Sequence, residues 1–193
     1  MEKKEVKIVL ASASPRRREL LRSIADDFLC ISPDVDEVYD GSLPPEKIAM
    51  YLAKIKCEAV AKNYPDYAVI GSDTVVHLDG EILGKPIDKE DAKRMMRLLS
   101  GKIHDVITGV CLAYDGKIHL IHSITKVEFK HLSNSVIERY VATSEPFDKA
   151  GGYGIQGQAK EFVQGFSGDF NNVVGFPLDQ VSKLLCEVGV LKI

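Results

Sequence analysis

An apolar run, Ile8-Val9-Leu10-Ala11, stops abruptly at Ser12-Ala13-Ser14-Pro15, and Arg16-Arg17-Arg18 follow before Glu19-Leu20-Leu21. This boundary restricts the chain to folds in which a buried strand turns straight into a helix. Proline is favoured at the first helical position, where its missing N–H costs nothing, and Ser14 before it is a good N-cap. A helix N-terminus presents unpaired N–H groups and partial positive charge, so it binds anions. Basic side chains there oppose the helix dipole unless an anion is close. Two hydroxyls and up to three guanidiniums at one turn therefore mark a candidate oligophosphate site, without saying which phosphate.

The rest of the chain alternates strand and helix signals. Strands are expected over 7–11, 28–32, 67–76, 104–114 and 117–129. Helices are expected over 15–24, 45–62, 90–99, 135–143 and 177–188. In the second of these helices Ile48, Leu52, Ile55 and Ala59 form one apolar stripe. Asp79-Gly80 and Asp115-Gly116 are hairpin turn signals. Residues 144–175 read as irregular, with seven of the 15 glycines lying in 151–175. A glycine-rich loop of that length in a compact domain is usually functional. Helices between strands, together with two hairpins, predict an α/β fold with a mixed sheet.

The bulk composition excludes several classes. A chain of 193 residues, 45% hydrophobic and 27% charged, is expected to be globular and to bury its own core. A net charge of -3 argues against a dedicated nucleic-acid binder. No apolar run reaches membrane-spanning length, and Met1-Glu2-Lys3-Lys4-Glu5 lacks the features of a secretory signal. The cysteines Cys30, Cys57, Cys111 and Cys186 are scattered, with no C-x-x-C pair. That suits reduced thiols in a cytoplasmic protein, each buried as a small hydrophobe.

Chemistry is suggested at five further places. Asp73 interrupts an almost wholly apolar stretch, Val69-Ile70-Gly71-Ser72-Asp73-Thr74-Val75-Val76. A carboxylate in a buried strand is costly unless paired or coordinated, so Asp73 is read as a base, a divalent-cation ligand, or both. Lys56 falls inside the apolar arc of its helix, between Leu52 and Val60; it either snorkels or points at a counter-anion. Lys85, in Gly84-Lys85-Pro86, could neutralise phosphate or be a solvated turn lysine. Asp34, Asp36 and Glu37 could supply a metal ligand or form a polar strand edge. Gln156 carries both a donor and an acceptor, which suits reading a base edge. His104 reads as structural. No G-x-x-x-x-G-K-[ST] and no well-placed G-x-G-x-x-G is present, which disfavours P-loop kinases and Rossmann oxidoreductases.

Taken in order, Leu10-Ala-Ser-Ala-Ser-Pro-Arg-Arg17, Asp36-Glu37, Leu52-Ala-Lys-Ile-Lys56, Gly71-Ser-Asp-Thr-Val-Val76, Leu83-Gly-Lys-Pro86, Leu99-Ser-Gly-Lys-Ile-His104, Asp148 to Gly157 and Asn172-Val-Val-Gly-Phe-Pro177 resemble the Maf family of nucleoside triphosphate pyrophosphatases. The resemblance implies a strongly twisted mixed sheet with flanking helices and two lobes around a cleft. The whole chain, 1–193, would be one such domain without a separable linker. It implies hydrolysis of a nucleoside triphosphate to the monophosphate and pyrophosphate, with a divalent metal, Mg²⁺ or Mn²⁺, and a homodimer. Neither a stable nucleic-acid partner nor a membrane is expected.

On that resemblance Asp73 is the general base. Ser12, Arg16, Arg17, Lys56 and Lys85 grip the phosphates, and Glu37 joins Asp73 at the metal. Arg16, Thr74 and Gln156 match the branch that takes dTTP and UTP. Ser72, and Phe166-Ser-Gly-Asp-Phe170, depart from the commoner family residues. A different reading is a nucleotide-binding regulator of septum formation without significant hydrolysis; such a module would not need Asp73 beside a polyphosphate grip.

Overall fold

The computed structural model describes residues 6–192. Strand β1 (Ile8–Ala11) is buried along its whole length. It lies between two parallel neighbours, β2 (Phe28–Cys30) and β3 (Ala68–Leu78), with Val9 opposite both Leu29 and Val69, and Ala11 opposite Gly71. Strands covered on both faces need apolar residues at every position. This is why the run 8–11 shows no alternation.

Helix α1 (Pro15–Arg22) follows β1 at once, and α2 (Pro45–Ala61) precedes β3. A hairpin joins β3 to β4 (Glu81–Leu83) through Asp79 at φ 50° and Gly80 at φ 86°. Helix α3 (Lys89–Leu99) is capped by Asp88. Strands β5 (Ile103–Tyr114) and β6 (Lys117–Phe129) are joined by Asp115 at φ 51° and Gly116 at φ 70°. Positive φ at both central residues is what a tight two-residue hairpin demands. Helix α4 (Asn134–Val141), strand β7 (Val163–Ser167), helix α5 (Phe170–Val174) and helix α6 (Leu178–Glu187) complete the described chain. The sheet runs β2-β1-β3-β5-β6-β7, with β4 beside β3. It is a mixed sheet with flanking helices, an α/β fold.

The chain divides into two compact units. Among the described residues the first comprises 6–73, 108–123 and 175–192. Alternation along its strands gives two separate cores. Ile8, Leu10, Ala68 and Ile70 pack with Leu21 of α1 and Val181, Leu184 and Leu185 of α6. Val9, Ala11, Val69 and Cys111 pack with Ala53, Cys57 and Val60 of α2. Helix α2 sits directly on strand backbone. A Cβ at Gly71 would lie 2.5 Å from the Ala53 carbonyl oxygen, and one at Gly109 would lie 2.4 Å from that of Ala49. Only glycine permits so close an approach.

The second unit comprises Thr74–Ile107 and Ile124–Val174. Its core gathers Met95, Met96 and Leu99 of α3, Ile137, Tyr140 and Val141 of α4, and Phe129, Tyr153 and Phe162.

Three expectations need correction. Residues 144–175 are not irregular throughout. They hold three short 3-10 turns (Glu145–Asp148, Ala150–Gly152, Gln158–Phe162), then β7 and α5. Strand β7 contains Gly165 and follows a glycine-rich stretch, so its apolar pattern is too sparse to register; antiparallel pairing with β6 supplies the order instead. The buried stripe of α2 is Ile48, Ala49, Leu52, Ala53, Lys56, Cys57 and Val60, with Ile55 and Ala59 at its margin. The small Ala53 and Cys57 face the sheet because Gly71 and Gly109 bring the backbones together. Finally, Cys57 and Cys111 are buried, but Cys186 is only half-buried and Cys30, at the end of an edge strand, is exposed.

Candidate active site

The turn after β1 is organised by its two serines. Ser14 adopts extended backbone and its hydroxyl accepts the Arg17 N–H at 3.4 Å, which caps α1. Ser12, only 6% exposed, accepts the Ser14 N–H at 3.1 Å and the Arg17 Nη1 at 3.5 Å. The Arg17 Nε donates to the Gly175 carbonyl at 2.8 Å, and the Ser72 hydroxyl donates to the same oxygen at 3.1 Å. Three chain segments remote in sequence are thus tied together: the β1–α1 turn, the middle of β3, and the entry to α6. Burial pushes the Arg17 guanidinium below its ordinary value, opposed by the Asp73 charge. An arginine nevertheless stays protonated in a protein.

Asp73 faces α2 because the parity of β3 puts Val69, Gly71 and Asp73 on one side. Lys56 comes from the buried stripe of α2, one residue before Cys57. Its ammonium is hydrogen-bonded to Asp73 Oδ1 and lies 2.9 Å from Glu37 Oε1. Asp73 and Lys56 are each only 8% exposed. Burial raises the Asp73 carboxyl above the ordinary carboxylate range, and the Lys56 and Arg17 charges hold it back. A buried carboxylate between two cations, with its proton affinity raised by desolvation, has the properties asked of a general base.

Ser12, Arg17, Glu37, Lys56 and Asp73 all lie in the first unit and are brought together by these contacts. Arg16 is half-buried beside Arg17, whose proton affinity it lowers further. Asp34 and Asp36 are exposed, in a segment that is not a strand; only Glu37 of that acidic group is seen to reach Lys56. Sequence reasoning missed the Gly175 carbonyl and the Ser72 hydroxyl as organisers of the cluster. Gly175 carried a usable signal in the Val-Val-Gly-Phe-Pro segment, where its φ of 113° requires glycine.

Thr74, Lys85 and Gln156 lie in the second unit. Thr74 is half-buried on β3, and Lys85 is exposed. The Gly84 carbonyl accepts the Gly151 N–H at 3.0 Å, and a Cβ at Gly152 would lie 3.1 Å from Pro86. The Lys85 turn is therefore anchored on both sides to the glycine-rich segment. Gln156 is exposed and lines a groove of about 420 Å³ with Ile155, Phe166 and Phe170.

No group of three or more His, Cys, Asp or Glu residues converges among the described residues. Glu37 and Asp73 still converge on one ammonium. Mg²⁺ is commonly held by one or two carboxylates, with substrate phosphates and water completing its shell. Two acidic oxygens around a cationic centre fit that pattern. His104 serves a different end, as its sequence context suggests: its Nε2 is 2.7 Å from the Tyr153 hydroxyl, and its ring packs edge-on against Phe129 in the core of the second unit.

A serine-capped helix N-terminus, with Arg17 and Ser12 at its start, lies in one unit with an ammonium shared by two carboxylates in an α/β protein, an arrangement suited to phosphate chemistry. The chain belongs to the Maf family: the model of that family, described as Maf-like protein, matches residues 7–188. Curated relatives named dTTP/UTP pyrophosphatase are similar to almost the whole chain. The protein from Thermococcus gammatolerans is 46% identical over 177 residues, 92% of this chain and 94% of its own. That from Bacillus cereus is 45% identical over 184 residues, 95% of this chain and 96% of its own. The solved structure of the Staphylococcus aureus Ham1 protein shares the fold, with a TM-score of 0.55 at 16% identity, covering 94% of this chain and 99% of that one.

Proposed function

We propose that this protein hydrolyses nucleoside triphosphates, dTTP and UTP foremost, to the monophosphate and pyrophosphate. The observation that carries the reading is Lys56, a buried ammonium held by Asp73 and Glu37 in the same cluster as Arg17 and Ser12. The names of the curated relatives support the same reaction and the same two substrates.

Water attacks the α-phosphorus and pyrophosphate leaves. Asp73 orients the water and takes its proton, which its raised proton affinity favours. Hydrolysis of a phosphoric anhydride needs charge neutralisation more than covalent catalysis. Ser12, Arg16, Arg17, Lys56 and Lys85 supply it. Lys56 exchanges part of its carboxylate pairing for phosphate oxygens as substrate enters. Glu37 and Asp73 would hold a divalent cation, Mg²⁺ or Mn²⁺, whose charge neutralises the polyphosphate. Arg16, Thr74 and Gln156 select the pyrimidine. A cytoplasmic location and a homodimer belong to the same proposal. No helix among the described residues is long and apolar enough to cross a membrane.

The test is pyrophosphate release from a panel of ordinary and modified triphosphates with Mg²⁺ or Mn²⁺, run beside Asp73→Asn. The expected result is turnover of dTTP and UTP, reduced at least about 10²-fold in the variant. Full turnover by folded Asp73→Asn removes the base assignment. No turnover by the unaltered protein favours the nucleotide-binding regulator.

A further inference from the structure

The glycine-rich segment that carries Gln156 is held by a carboxylate that the reaction itself does not use. Glu145 Oε2 accepts the Gln158 N–H at 2.9 Å, and its Oε1 accepts the Ala159 N–H at 3.3 Å. These are orphan donors of the short 3-10 turn Gln158–Phe162. The Tyr140 hydroxyl lies 3.3 Å from the same Oε1 and 3.1 Å from the Gly152 carbonyl. Burial, and then the Glu145 charge, push the Tyr140 phenol up, so it keeps its proton and donates. All these groups belong to the second unit.

The glycines on either side of Ile155-Gln156 are filled by this network. A Cβ at Gly157 would lie 2.3 Å from Glu145 Oε1, and one at Gly154 would lie 2.8 Å from Lys149 Cε. Lys149 Nζ in turn donates to the Glu145 carbonyl at 2.8 Å. Ile155 is buried, whereas Gln156 is exposed. A stretch that should be among the most mobile in the chain is therefore clamped at both ends, and the side chain left outside is an amide.

We infer that Glu145 is a positioning residue for Gln156: it locks the backbone on which the base-reading amide is presented. The inference rests on the proposed reading of Gln156 as a selector of the pyrimidine. A side-chain amide on a mobile loop pairs with either the uracil or the cytosine edge by rotating. One on a fixed backbone reaches a base edge from a single place, so fewer of its rotamers can meet the wrong edge, and this preorganisation sharpens the choice between edges.

The experiment measures kcat/KM for UTP and CTP, which differ at that edge, in Glu145→Gln, Tyr140→Phe, Gln156→Ala and the double variant Glu145→Gln/Gln156→Ala. A glutamine at 145 has one acceptor oxygen for two N–H donors, so it loosens the clamp without emptying the space. The expected result is a loss of UTP preference of about three- to tenfold in Glu145→Gln, the factor of one net hydrogen bond. Tyr140→Phe loses less, and kcat for UTP stays within about twofold in both. The double variant is no less selective than Gln156→Ala alone, because residues acting through one group are non-additive.

A structural role without positioning would lower the melting temperature and leave the UTP/CTP ratio untouched. If Gln156→Ala changes the ratio and neither Glu145→Gln nor Tyr140→Phe does, the inference is overturned. If Gln156→Ala itself leaves the ratio unchanged, the reading of Gln156 fails and the positioning role falls with it. Tyr140→Phe removes the hydroxyl that donates to Glu145 Oε1 while leaving its two bonds from the Gln158 and Ala159 N–H groups, and so decides the matter should Glu145→Gln not fold.

Discussion

Glu37, on a loop, and Asp73, in the middle of a buried strand, hold the same atom, the Nζ of Lys56. One ammonium is thus shared by two carboxylates, and the second carboxylate is what distinguishes this lysine from an ordinary buried partner. Removing one member of a buried pair leaves the other uncompensated, which costs about 3–5 kcal/mol in typical cases.

Lys56→Gln tests that relationship through pH. The Lys56 charge holds the Asp73 carboxyl down against burial. Without it the proton affinity of Asp73 rises further. A base works when deprotonated, so activity increases with pH through its titration. The acidic limb of the kcat/KM profile for dTTP is expected to move to higher pH in Lys56→Gln, with kcat at neutral pH down about 10²-fold. An unmoved limb in a folded variant would separate Asp73 from the observed titration.

Gly71→Ala should disturb the same pair from a distance. The added Cβ would meet the Ala53 carbonyl at 2.5 Å and the Cys57 Cβ at 2.7 Å, so α2 must lift from β3. Overpacking of this kind costs about 1–3 kcal/mol. Lys56 lies between those two contacts on the same helix. The expected outcome is a lowered melting temperature together with a loss of turnover larger than the fraction unfolded explains. Circular dichroism melts beside steady-state kinetics read both.

The two kinds of residue differ in how far the sequence could reveal them. Asp73 and Lys56 were visible as charges in the wrong place, one inside an apolar strand and one inside an apolar helical arc. Burial of charge is expensive, so such exceptions point to partners. The hairpins were visible because Asp-Gly at positive φ is a local requirement. Strand β7 was not visible, since its order comes from pairing with β6 and not from its own composition. The Gly175 carbonyl and the Glu145 clamp were hidden for a related reason. Both act through backbone groups brought close only by the tertiary fold, and no periodicity encodes a backbone acceptor 158 residues from its arginine.

His104 predicts a pH dependence of stability. Burial lowers its pKa from 6.5 to about 4. The folded state therefore favours the neutral ring, and the unfolded chain binds the extra proton between those values. Stability from this group is complete above about pH 6.5 and is lost as pH falls toward 4, by at most about 3 kcal/mol. The Nδ1 has no hydrogen-bond partner, so protonation there finds none ready. Urea denaturation at pH 7 and pH 4.5 should show a steeper loss in the unaltered protein than in His104→Phe. Equal slopes would assign the acid sensitivity to carboxylates elsewhere.

Arg17→Lys separates charge from geometry at the helix N-terminus. The arginine Nε donates to the Gly175 carbonyl while Nη1 reaches Ser12, so one planar group braces the turn at the N-terminus of α1 from two sides. Lysine keeps the positive charge but has a single, flexible ammonium, and cannot occupy both positions at once. Ser72 would still donate to Gly175 and hold the entry to α6 in place. The fold is therefore expected to survive with a loss of about 1 kcal/mol, while KM for dTTP rises about tenfold and the pH profile stays where it was, because Asp73 keeps a nearby cation. A KM unchanged in Arg17→Lys would reduce Arg17 to a brace for the turn and leave the phosphate grip to Arg16 and Lys56.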